Sequence, residues 1–309
     1  MSIRLVNGLG DKLLDLIGFF VICKYLNYTP NVIFCNSSNF AWGNNHYDNR
    51  LFNFHDIIIS EVDCAFYVNS CNPSSSLCPY KVYEFIKRFI DITFERISQD
   101  FLECSRIIQP SEIIVSKIPL HIEKAYGIHL RKSDKLNNIG DIRHENTVTE
   151  FKIIIHHLLK DVEKIILTEE EPTFLIVSED NDWKRDVTNV ILKMSNKPIH
   201  ILTPEYCQNE YSNYNSVLDM FCLSKCKEIL QGVKYSTFSI VASLLGNHKI
   251  RNYSTYTNSH EICLIHSWSS VVEINQHKNV DVNLHKKVTK EVKTIETNIP
   301  GIFTDECVE

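Results

Sequence analysis

Tyr126-Gly127-Ile128-His129-Leu130-Arg131-Lys132-Ser133-Asp134-Lys135 changes character at its midpoint. The first half is short and apolar, which predicts a buried strand. From His129 onward, His129, Arg131, Lys132, Asp134 and Lys135 crowd into seven positions. A folded core gains nothing from such crowding, so a ligand is its simplest cause. Arg131 offers a planar fork that suits phosphate, and Lys135 adds a point charge. A solvated loop whose charges offset one another is the plainer alternative.

Downstream of this strand, apolar runs of two lengths alternate. Strands are expected at Thr173–Val177, Ile199–Leu202 and Glu228–Leu230. Helices are expected at Glu150–Ile166, Asp182–Met194, Ser216–Ser224 and Thr237–Leu245. In the first helix Phe151, Ile154, Ile155, Leu158, Leu159 and Val162 keep three-and-four spacing. Such alternation predicts βαβ units and a parallel sheet. Ligands of such sheets sit beyond the carboxyl ends of the strands. Three polar clusters fall there: His129 to Lys135, Ser178-Glu179-Asp180, and Tyr235-Ser236-Thr237 at a helix start. Hydroxyls and amides at a helix start suit phosphate, although an ordinary N-cap looks the same in sequence.

Upstream, Ile3–Val6 is expected as a strand, Asn7-Gly8-Leu9-Gly10 as a turn and Asp11–Tyr25 as a helix. This unit aims helix amides at an anion. The dinucleotide fingerprint would need a third glycine where Leu13 stands. Val32–Phe34 and Ile57–Ile59 are candidate strands, and Asn69–Pro79 reads as a loop. Val82, Phe85, Ile86, Phe89, Ile90, Phe94, Ile97 and Phe101 predict one helix over Lys81–Leu102, its stripe buried in the core. Pro110–Pro119 reads as a hinge. The expected division is 1–119, 120–255 and a polar extension over 256–309.

Composition narrows the function. A net charge of −6 without a basic block argues against nucleic-acid binding. The 11 cysteines lack a paired framework, so free thiols and a reducing, cytoplasmic setting are expected. Cys64, Cys71 and Cys78 are evenly spaced, but without a CxxC pair they read as thiols, not a zinc site. No signal peptide is evident at the N-terminus. The apolar run Leu13–Leu26 holds Asp15 and Lys24 and is too short to span a bilayer.

His129-Leu130-Arg131-Lys132-Ser133-Asp134-Lys135 resembles the H-x-R-R-[TS]-D-K motif of α1,6-fucosyltransferases, with Lys132 in place of the second arginine. Gly8 to Leu14 is similar to the family's N-terminal G-x-G turn. Phe174 to Asp180 is similar to its strand ending in paired acids, with Glu179 for an aspartate. Leu218 to Ser224 followed by Tyr235 to Ser239 is similar to its L-D-x-x-x-L-S…S-S-x-[FV] stretch.

The resemblance implies a GT-B-like α/β fold with two Rossmann-type domains, each with a parallel sheet. It implies a GDP-fucose donor, a glycan or other hydroxyl acceptor, inversion at the anomeric carbon, and no metal or other cofactor. By the same resemblance Asp219 accepts the guanine N–H pair and His129 meets the base. Arg131 binds the β-phosphate, and Gly8, Gly10, Ser236 and Thr237 complete the diphosphate site. The remaining motif positions Lys132, Asp134, Lys135, Glu179 and Asp180 belong to the donor site. The family's base glutamate falls at Ile139; a one-residue slip brings Asp141 close, with His144 beside it and Glu145 behind. Alternatives are another nucleotide-sugar donor, a non-catalytic nucleotide- or sugar-binding module, and an NAD-dependent oxidoreductase.

Overall fold

A computed structural model describes residues 2–5, 8–36, 51–54, 59–63, 77–131, 143–207, 214–233, 236–253 and 273–276. The first half opens with β1 (Ser2–Leu5), α1 (Leu9–Leu26) and β2 (Asn31–Asn36). After β3 (Phe52–Phe54) comes β4 (Ile59–Asp63), later than the expected Ile57–Ile59. Strands β1, β2 and β4 form a parallel sheet in that order. Helix α1 is apolar on nearly every side, with Leu13, Leu14, Leu16, Ile17 and Val21 wholly buried, as suits a helix inside a core. Asn27 ends it in the left-handed region at φ 54°, its N–H bonded to Cys23 O. No helix among the described residues is long and apolar enough to cross a membrane.

The single helix expected over Lys81–Leu102 is two helices, α2 (Pro79–Ile86) and α3 (Phe94–Ser105). The apolar spacing carries through, but Thr93 resets the chain: its side chain accepts the Arg96 N–H and starts a new helix. The residues assigned to one stripe therefore separate. Val82, Ile86, Ile97 and Phe101 are buried, while Phe89 is 62% exposed on the connecting turn. Asp100 of α3 is buried and meets Lys24 Nζ of α1 at 2.7 Å. Tyr25 also donates to it, so α1 fixes α3 through a paired buried charge. The segment expected as a hinge holds the end of β5 (Ile108–Pro110) and the short α4 (Glu112–Val115). Strand β5 pairs antiparallel with β3.

The second half follows the expected alternation closely. It comprises β6 (Tyr126–Leu130), α5 (Arg143–Thr168), β7 (Thr173–Ser178), α6 (Asn181–Lys193) and β8 (His200–Leu202). Then come α7 (Tyr214–Leu223), β9 (Glu228–Gly232), α8 (Thr237–Gly246), β10 (Ile250–Asn252) and β11 (Ile274–Gln276). The sheet is parallel throughout, in the order β11-β10-β9-β6-β7-β8. From β6 the chain winds outward through β7 to β8, crosses back, and winds outward again from β9. This is the doubly wound dinucleotide-fold order, and the reversal lies between β6 and β9.

Alternate residues serve opposite faces. Ile128, Leu130, Ile176 and Leu230 pack with Leu158 and Val162 of α5 and Val187 of α6. Leu175, Val177 and Ile229 join a second core with Val217, Leu218 and Phe221 of α7 and Ile240 and Val241 of α8. That second core continues into Leu13, Ile17 and Phe20 of α1 and Phe101 of α3, so the two halves share apolar packing.

Strands β10 and β11 lie beyond the last element expected from the sequence. Polar cross-strand pairs place β10. Arg251 grips both oxygens of Glu228 at 2.8 Å each, and Asn252 Nδ2 donates to Gln231 Oε1 at 3.2 Å.

Candidate functional site

The reversal in strand order puts the crevice at the carboxyl ends of β6 and β9. Leu130 and Gly232 are register partners there, and Arg131 leaves the sheet at that edge. Glu179 follows the adjacent β7, and its Oε1 lies 3.9 Å from Arg131 Nε. The two side chains are about one-third and two-fifths exposed, so both charges remain hydrated.

Across this edge the starts of two helices meet. Gly10, in the first turn of α1, lies against the start of α8. A Cβ there would come within 2.6 Å of the Phe238 backbone nitrogen and 2.7 Å of the Thr237 carbonyl carbon. Only a residue without a side chain allows this approach. Gly8 differs: a Cβ on it meets nothing within 4 Å, so neighbouring protein atoms do not require a glycine there. Each helix start leaves amides without intrahelical partners and carries a positive partial charge. Their convergence sets positive partial charge from both halves side by side, the kind of surface that suits an anion.

Ser236 precedes α8 but does not cap it. Its hydroxyl is buried and has no hydrogen-bond partner among the described residues. An orphaned buried hydroxyl at a helix start is a costly arrangement that a ligand oxygen would relieve. Thr237 is the first helical residue. Lys12, also in the first turn of α1, is fully buried. Its one mark in the sequence is its place two positions beyond the G-x-G segment.

His129 is enclosed, at 6% exposure. Its Nδ1 lies 2.7 Å from Ser239 Oγ, and its ring centroid lies 5.1 Å from that of Phe238. Burial, helped by the Arg131 charge, pushes its pKa down to about 3, so the ring is neutral. These contacts make it a support for the first turn of α8. Asp180 is likewise occupied: Oδ1 caps α6 by accepting the Trp183 N–H at 2.9 Å.

Asp219 projects from α7 and is 9% exposed. Its Oδ1 accepts the Tyr206 hydroxyl at 2.7 Å, and Lys184 Nζ donates to the same hydroxyl at 2.9 Å. Burial raises the Asp219 carboxyl to about 6, against the lowering effects of the Tyr206 bond and the Lys184 charge. Neither Tyr206 nor Lys184 stood out in the sequence.

The sequence-derived residues Lys132, Asp134, Lys135 and Asp141 lie outside the described residues, as does Tyr235; for His144 and Glu145 only the helical backbone of α5 is described. Cys64 and Cys71 are also outside; Cys78 is buried and free. No group of three or more His, Cys, Asp or Glu able to hold a metal occurs among the described residues.

No family model matches the sequence, and no curated protein matches it. Among solved structures, it is similar to a NodZ α1,6-fucosyltransferase soaked with GDP-fucose. Identity is 12% and the TM-score 0.44, over 79% of this chain and 91% of that one. Similarity to an Arabidopsis thaliana FUT1 mutant in complex with GDP is 13% in identity with a TM-score of 0.49, over 83% and 70%. For POFUT1 in complex with GDP the values are 10% and 0.46, over 82% and 98%. At these values the likeness carries no reading of the site. The α/β class, with parallel sheets of the GT-B-like kind, follows from the strand order and pairings above.

Proposed function

We propose that this protein is an inverting glycosyltransferase that uses a nucleotide sugar, and specifically that it transfers fucose from GDP-fucose to a hydroxyl acceptor without a metal. The observation that carries the reading is the contact of Gly10 with Thr237 and Phe238. It brings two helix starts together beside the sheet edge from which Arg131 emerges, in the strand register of the H-x-R motif. In this reading residues 1–119 form the acceptor side and 120–255 the donor side.

The chemistry assigns roles. As the glycosidic bond to the diphosphate breaks, negative charge grows on the departing β-phosphate. Arg131, the amides of α1 and α8 and the Ser236 hydroxyl meet that charge, and stabilisation is greatest where charge develops. Guanine presents two adjacent N–H groups, and the Asp219 carboxylate is the acceptor for them. Inversion needs a base on the face opposite the leaving group. Asp141 is the candidate, with Glu145 behind it.

Calorimetric titration with GDP, and with UDP and ADP as controls, tests the reading alongside fucosyl transfer to a panel of hydroxyl acceptors. GDP-selective binding is expected. Arg131→Ala should cost transfer by ~100–1000-fold, the scale of losing one charge-stabilising donor, while the fold is kept. Binding without preference for GDP removes the fucosyl donor from the reading. Wild-type transfer by Arg131→Ala removes Arg131 from catalysis.

A further inference from the structure

Asp219 does not stand alone. Tyr206 reaches it from the segment after β8, and Lys184 comes from the first turn of α6. Cys222 lies one turn along α7; burial, with Asp219 beside it, keeps its thiol protonated by pushing its pKa far up. Among the described residues these are the titratable groups that act on the carboxylate; of the elements that pack on α7, β7 and α8 bring none and α4 brings Glu112, which is not among them.

The direction of the hydrogen bonds is fixed by the groups themselves. A lysine ammonium only donates, an ionised carboxylate only accepts, and a phenol has one proton. Lys184 therefore donates to the Tyr206 oxygen, and Tyr206 spends its proton on Asp219 Oδ1. Burial and the Asp219 charge push the phenol far above its ordinary pKa, so the proton stays.

Tyr206 is itself held on both sides. Glu205 pairs with Lys117 at 2.6 Å. Cys207 exchanges two hydrogen bonds with the Asn215 side chain, at 3.1 and 3.2 Å. Asn215 lies one turn before Asp219 on α7, so a single helix sets the position of both donor and acceptor. Asp219 Oδ2 accepts from no described residue.

We propose that Lys184 and Tyr206 are positioning residues that fix Asp219 through one oxygen and hold its negative charge, leaving the other oxygen free to accept from the adjacent N–H donors of a guanine nucleoside diphosphate. The proposal rests on the nucleotide reading above. Without the relay, burial favours the neutral carboxyl, which carries a proton where the ligand needs an acceptor.

The test is GDP titration from pH 5.5 to 8.5 with wild type, Tyr206→Phe, Lys184→Met and Asp219→Asn, with thermal unfolding recorded at each pH. Asp219→Asn supplies the baseline for the nucleotide's own titration. Relative to it, wild-type affinity should fall about tenfold per pH unit below a midpoint near 6. Tyr206→Phe and Lys184→Met should approach wild type at pH 8.5 and lose affinity from a higher midpoint. Lys184→Arg should restore much of the loss. A variant weakened equally at every pH would show a merely structural role and overturn the proposal, as would wild-type midpoints in both relay variants. If one relay variant does not fold, the other decides. If Asp219→Asn binds GDP like wild type, the nucleotide reading fails first, and that result is distinct from an idle relay.

Discussion

Replacing Gly10 with alanine tests the junction of the two helix starts. The new Cβ would sit 2.6 Å from the Phe238 nitrogen, 2.7 Å from the Thr237 carbonyl carbon and 2.7 Å from Thr237 Oγ1, where ordinary contact begins at 3.4 Å. Two of these atoms are backbone and cannot rotate away, so one helix must retreat by roughly 0.8 Å to restore ordinary contact. Overpacking of this kind costs ~1–3 kcal/mol. Alanine recovers up to about 1 kcal/mol of helix propensity. The net loss of stability is therefore ~0–3 kcal/mol, a modest fall in Tm. Geometry suffers more, because a misplacement approaching 1 Å costs ~100-fold in rate. Gly8→Ala is the matched control. Its φ of −60° suits any residue and its Cβ meets open space, so Tm should hold or rise. Its nucleotide affinity should nevertheless drop if a phosphate lies against that backbone. The assay is thermal unfolding beside GDP-fucose transfer and GDP binding. Gly10→Ala with wild-type Tm and wild-type transfer would refute the contact between α1 and α8.

Two further outcomes follow from buried ionisable groups. His129→Ala should cost ~1–3 kcal/mol in thermal or denaturant unfolding at pH 7, because it orphans the buried Ser239 hydroxyl. In the wild type the folded pKa of His129, about 3, lies below the unfolded 6.5. Its contribution is therefore present above pH 6.5 and lost as pH falls toward 3, so the variant should show a weaker acid-side decline. Asp15 has the opposite sign. Burial raises it from 3.8 to about 7, with the Leu77 N–H opposing and Asp11 adding to the rise. Its contribution is complete below pH 3.8 and lost as pH rises through 7. Asp15→Asn keeps an acceptor for the Leu77 N–H, so it should raise Tm at pH 8 and change little at pH 4. An unchanged Tm at pH 8 would contradict the burial of that carboxyl.

Sequence periodicity is local, and so it located β6 to α8 within two residues, except that α5 starts at Arg143, seven residues before the expected Glu150. An apolar run of five residues or an apolar face of fifteen needs no knowledge of its neighbours. The charged run that begins at Arg131 and the glycine pair at Gly8 and Gly10 stand out in sequence because their composition is unsuited to a core, but Leu9 and Gly10, expected in a turn, already belong to α1. Local signals misled at Phe89 and Ile90, whose spacing continued a helical stripe that Thr93 interrupts by capping a new helix. They were silent on β10, whose place depends on Arg251 and Asn252 reaching Glu228 and Gln231 of another strand.

The sequence by itself determined the βα alternation, the parallel sheet and the polar segments at its carboxyl edge. Tertiary structure alone decided that β9 returns beside β6, which creates the crevice. It decided that Gly10 serves close packing while Gly8 faces open space, a difference two glycines in one turn cannot declare. It also turned Asp219 from a motif position into the end of a relay from Lys184 through Tyr206. Those three residues lie on α6, α7 and the segment after β8, and only the packing of these elements around one buried carboxylate brings them within hydrogen-bond reach.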